Sequence, residues 1–86
     1  MLKPKAKKGL VFRQEEEGAF LFDPDTGVIK VLNPVGAFIW KLLNGKKTLP
    51  QIARQVARSF GSVKVKEAEK DLTNFLSELK KGKLLE

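Results

Sequence analysis

The chain has no cysteine and no histidine among its 86 residues, no tyrosine, and a single methionine and tryptophan. Without cysteine there is no disulfide, no thiol nucleophile and no thiolate metal site. Without histidine the commonest acid–base group and metal ligand is gone. Carboxylates are the remaining candidates for chemistry, and their placement is discouraging. Glu15, Glu16 and Glu17 stand in a row before Gly18, the pattern of a solvated turn, with a weak cation site as the sharper alternative. These absences argue against an enzyme, a metal centre or a bound cofactor. No run approaches the roughly 20 apolar residues of a membrane span, and the opening MLKPKAKKGL lacks the apolar stretch of a secretion signal. The expected location is cytoplasmic, with no membrane partner.

What is present is enough apolar material, 42% of residues, for one small domain with a single core. The net charge of +7 is unevenly spread: residues 1–8 carry +4, 9–32 carry −3, 33–63 carry +5 and 64–86 carry +1. Lys3, Lys5, Lys7 and Lys8 on a Pro-containing segment read as a flexible basic arm over residues 1–9, ahead of one domain over 10–86. Attraction to an acidic partner is the sharper reading of that arm.

Leu10–Gln14 and Ala19–Phe22 read as two short strands joined by the glutamate turn. Asp23-Pro24-Asp25-Thr26-Gly27 is a strong turn signal, and Val28–Leu32 resumes β-favouring residues. The expectation is a three-stranded antiparallel meander. In its third strand Ile29 and Val31 share one face, and Val28, Lys30 and Leu32 the other.

That strand runs without a linker into a helix. Asn33 fits the N-cap and Pro34 the first helical position. Val35, Phe38, Ile39, Leu42 and Leu43 form one apolar stripe, stopped by Asn44-Gly45. Trp40 lies beyond the edge of that stripe, on the flank of Gly36, and is expected to pack against the sheet or the arm, with a partner contact as the alternative. Thr48-Leu49-Pro50-Gln51 has the form of a capping box, opening a helix with the stripe Leu49, Ile52, Ala53, Val56, Ala57 and Phe60. A third helix, from about Val65 to Lys81, places Val65, Ala68, Leu72, Phe75, Leu76 and Leu79 on one side, with Asp71 at its rim. That stripe is wider than a packing seam needs, and part of it fits the wall of a groove against the sheet.

The segments Leu32-Asn33-Pro34 with Gly36-Ala37 and Ile39-Trp40, Leu42-Leu43-Asn44-Gly45, Thr48 with Ile52-Ala53, and Asp71-Leu72 with Phe75-Leu76 and Leu79 together resemble the pattern of PqqD-like proteins. This is the family of pyrroloquinoline quinone biosynthesis protein D and related recognition elements of ribosomal peptide-modification pathways, and the resemblance runs over roughly residues 10–85. It implies an α+β, winged-helix-like domain, three strands then three helices. It also implies binding of the leader of a precursor peptide, which is presented to a modifying enzyme such as a radical S-adenosylmethionine enzyme, a cyclase or a leader protease. Carried onto this sequence, the leader would add as an antiparallel strand along Val28, Ile29, Lys30, Val31 and Leu32. It would lie against Ala68, Asp71, Leu72, Phe75 and Leu79 of the third helix, with Leu72, Phe75 and Leu79 as anchors. A strand edge with unpaired N–H and C=O groups is suited to that role on physical grounds alone. Lys46, Lys47, Arg54 and Arg58 form the basic surface on which the enzyme would dock.

Two rival readings remain. A nucleic-acid-binding winged helix fits the pI near 9.9, but Glu67, Glu69 and Asp71 nearly cancel Lys64, Lys66 and Lys70 at the start of the presumed recognition helix. The other is a subunit that only scaffolds a protein complex.

Overall fold

The computed structural model describes residues 3–61 and 64–86. Three antiparallel strands, β1 (Val11–Glu15), β2 (Gly18–Phe22) and β3 (Ile29–Leu32), lie in the order β1-β2-β3. Three helices follow, α1 (Pro34–Lys41), α2 (Leu49–Ser59) and α3 (Val65–Lys81). This is the expected α+β, winged-helix-like arrangement.

The turns explain the register. Glu16 and Glu17 join β1 to β2, and Gly18 follows at φ 149°, a backbone setting open essentially to glycine alone. A Cβ at Gly18 would collide with the carbonyl oxygen of Leu32, so this glycine lets β3 close onto β2. In the second turn the Asp23 carboxylate accepts the Asp25 N–H at 2.9 Å, and Gly27, at φ 78°, donates to the Asp23 carbonyl at 2.7 Å.

Each helix begins or ends on local chemistry. The Asn33 side chain accepts the Gly36 N–H at 2.7 Å. Thr48 and Gln51 form both halves of the capping box, at 3.4 and 2.8 Å. α3 closes through a Schellman motif: Leu84 N–H donates to the Leu79 carbonyl and Lys83 N–H to the Lys80 carbonyl. The left-handed residue is Lys83, at φ 59°, and not its neighbour Gly82, at φ −81°.

The core lies between the inner face of the sheet and the helices. Ala19, Leu21 and Leu32 meet Ala37, Ile39 and Trp40 of α1, Ile52 and Val56 of α2, and Leu72 and Leu79 of α3, and Leu84 folds back to join them. Trp40 is 8% exposed and belongs to the core cluster, so it is a packing residue even though it lies beyond the edge of its helix's apolar stripe.

The N-terminal segment departs from expectation. Residues 4–7 are not a free arm: they run as a short extended strap between the end of α1 and the C-terminal residues. Ala6 N–H donates to the Leu43 carbonyl at 2.9 Å, Lys7 N–H to Leu84 at 3.0 Å and Gly45 N–H to Pro4 at 3.1 Å, while Glu86 N–H donates to Lys5 at 2.9 Å. The carbonyl of Leu43, just past α1, and that of Leu84 gain partners they would otherwise lack. The lysines read as a solvated tail because their partners lie far away in sequence. Lys7 reaches Asp23 at 2.7 Å, and Asp23 is only 1% exposed.

Candidate functional site

β3 is paired on one side only. Phe22 lies opposite Ile29, Leu21 opposite Lys30, Phe20 opposite Val31 and Ala19 opposite Leu32. The Asp23 N–H donates to the Val28 carbonyl at 2.9 Å, so Val28 turns its carbonyl toward β2, while its N–H donates to the Thr26 hydroxyl at 3.3 Å. Alternation along an antiparallel ladder then turns the groups of Lys30 and Leu32 toward β2 and those of Ile29 and Val31 outward. The free edge therefore offers two donors and two acceptors. The expected docking stretch of Val28 to Leu32 narrows to two residues whose backbone faces out.

The side chains of β3 divide the other way. Ile29 and Val31 are 65% and 78% exposed, on the outer face of the sheet beside half-buried Phe20 and Phe22. Lys30 and Leu32 lie on the inner face. Leu32 is buried, and Lys30 crosses to α3, where its ammonium donates to Glu78 Oε2 at 2.8 Å. That hydrogen bond, reinforced by the pair's charge attraction, holds the Glu78 carboxyl below its ordinary range. The second edge of the sheet runs along β1, where the Lys41 ammonium of α1 sits 5.7 Å from the centre of the Phe12 ring.

Beyond the C-terminal end of β3 a cleft of about 320 Å³ opens between α1 and α3. Ile39, Val56 and Ala68, all nearly inaccessible, form its floor. Val35 and Phe75 are its half-buried walls, and Asn33 and Asp71 are exposed at its rim. Gly36 is buried between these walls. A Cβ there would stand 3.3 Å from Asn33 Oδ1 and 3.5 Å from the Phe75 ring.

The residues assigned from sequence sort accordingly. Ile29 and Val31 carry the free edge, Lys30 bridges to α3, and Ala68, Asp71 and Phe75 line the cleft. Leu72 and Leu79, expected as anchors, are 1% and 0% exposed and belong to the core, as does Leu32. At about 100° per residue Asp71, Phe75 and Glu78 form a row on α3 adjacent to Leu72 and Leu79, and Glu78 of that row meets Lys30 of β3. Asn33, Val35, Gly36, Ile39, Val56 and Glu78 were not assigned to the site. Asn33 and Gly36 had a visible local signal, an N-cap followed by a glycine in the first turn, but it reads as helix initiation.

On the opposite side of α3 lies a wider cleft of about 750 Å³, with Leu49, Leu76 and Leu85 in its walls and Lys3, Lys5 and Lys80 among its polar residues. Lys46, Arg54 and Arg58 are exposed and Lys47 half-exposed on the α2 side. Among the described residues no cluster of acidic side chains is arranged to hold a metal ion, and no helix is long and apolar enough to cross a membrane.

Comparison with known proteins places this architecture. No curated protein sequence matches the chain. A solved structure described as TbiB1 in complex with the TbiA(beta) leader peptide superposes with a TM-score of 0.82 at 30% identity, over 95% of this chain and 94% of that one. A second is the solution structure of the PqqD truncation of Methylobacterium extorquens PqqCD, described as a stand-alone recognition element for ribosomally synthesized and post-translationally modified peptides. It has the same fold, with a TM-score of 0.79 at 24% identity, over 96% of this chain and 87% of that one. The family model for coenzyme PQQ synthesis protein D matches residues 18–85, which hold β2, β3 and all three helices, and the chain belongs to that family.

Proposed function

We propose that this protein binds the leader of a ribosomally made precursor peptide as an added antiparallel strand on the edge of β3, against α3, and presents that peptide to a modifying enzyme. One observation carries the proposal: β3, whose outward backbone groups are those of Ile29 and Val31, leads directly through Asn33 into an apolar-floored cleft between α1 and α3, in a PqqD-family chain similar to TbiB1 in its leader complex. Backbone pairing supplies affinity that tolerates many sequences, and the cleft supplies selection. Ordering a disordered leader costs on the order of 2–5 kcal/mol, so at least one side chain must be well seated in the cleft.

The protein performs no chemistry in this role and needs no cofactor. Its contribution is proximity, since a tethered substrate segment reaches an effective concentration of roughly millimolar near the enzyme. The enzyme, whether a radical S-adenosylmethionine enzyme, a cyclase or a leader protease, approaches from the basic side formed by Lys46, Lys47, Arg54 and Arg58. That side leaves β3 free. The setting is cytoplasmic.

The test is a titration of the isotopically labelled protein with candidate leader peptides, followed by amide NMR. Perturbations should concentrate at residues 29–36 and 68–78. Perturbations confined to the N-terminal lysines and α2 would refute the proposal.

A further inference from the structure

The cleft beside β3 is an apolar pocket with a carboxylate at its mouth. Asp71 is exposed and, among the described residues, takes part in no ion pair and accepts no hydrogen bond, whereas Glu78 is already matched by Lys30. Glu67 lies one turn before Asp71 on the same side of α3, with Lys64 the nearest cation along that row. Asp71 is the one charged side chain among the residues that line the cleft, in a chain whose net charge is +7. Across from Asp71, Asn33 spends its carbonyl oxygen on the Gly36 N–H, which leaves its amide group to donate to a peptide carbonyl.

The occupant has to satisfy both parts. A purely apolar side chain would cover Val35, Ile39 and Phe75 but would desolvate Asp71 without giving it a partner, which is costly. An acidic side chain would be repelled. Lysine and arginine have the matching shape: a methylene stem for the walls and a cationic end for the carboxylate.

Building on the peptide-binding reading, we propose that the cleft is a selectivity pocket for one basic residue of the bound peptide, with Asp71 as its charge partner. The protein therefore discriminates among peptides by the position of a single lysine or arginine relative to the stretch that pairs with Ile29 and Val31.

The experiment uses a phage-displayed library of random dodecapeptides, panned in parallel on the full chain, on Asp71→Asn and on Asp71→Lys. Circular dichroism checks that the variants fold, as an exposed residue with no hydrogen bond permits. The unmodified protein should enrich peptides with lysine or arginine at one fixed position among apolar residues. A synthetic peptide of that pool should bind Asp71→Asn about tenfold more weakly, the loss of one charge-assisted hydrogen bond. Asp71→Lys should enrich an acidic residue at the same position, an inversion that a purely structural role for Asp71 would not produce. Identical pools from all three proteins would overturn the inference and leave peptide binding intact. No enrichment by the unmodified protein would overturn both.

Discussion

At the scale of single residues, the pair Lys7–Asp23 shows how a charge is made affordable inside so small a core. Asp23 is buried beneath the strap, and each of its carboxylate oxygens has a donor: the Lys7 ammonium on Oδ2 and the Asp25 N–H on Oδ1. The Lys7 hydrogen bond is the main reason its carboxyl titrates below the ordinary value of 3.8, and the same bond raises Lys7 above its ordinary value. A carboxyl depressed by folding stabilises the protein at pH values above its unfolded value. That contribution fades as pH falls through the folded value. Urea unfolding followed between pH 7 and pH 2 should show stability falling in the acid range, and Asp23→Asn should show a shallower fall from a lower starting point. Equal slopes would separate Asp23 from the acid sensitivity. The caps at Asn33 and Thr48 were legible from sequence because their partners lie three residues away. The Lys7–Asp23 pair spans sixteen positions and was not, so a docked strap passed for a tail.

At the scale of elements, the strands, the three helices and the faces of β3 were legible from periodicity alone, because each repeats a local rule. The division of α3 was not. Its stripe reads as one broad apolar side, and only the positions of β3 and α2 decide that Leu72 and Leu79 turn into the core while Asp71, Phe75 and Glu78 turn toward the groove. The ladder parity of β3 makes a pair of proline substitutions informative. Val31→Pro removes a donor that faces outward, so β2–β3 pairing survives, stability changes by about 1 kcal/mol or less, and peptide affinity falls at least tenfold. Lys30→Pro removes a donor bonded toward β2 and should unfold the hairpin. Thermal melts and fluorescence anisotropy with a labelled peptide distinguish the two. Equal damage from both would mean that the edge groups are not assigned as described.

At the scale of the whole molecule, the chain separates its tasks in space. One side of α3 joins β3 in a groove with a net negative rim, and the opposite side, with α2, is basic. The sheet leaves one edge of β3 unpaired, and the strap ties the C-terminal residues to the end of α1. The central claim is that a peptide completes the sheet at β3. The most direct measurement is amide hydrogen exchange of the protein with and without saturating leader peptide. Ile29 and Val31 should exchange fast in the free protein and become strongly protected in the complex. Lys30 and Leu32, already bonded to β2, should change little. Unaltered exchange at Ile29 and Val31, with protection appearing on another surface, would contradict it.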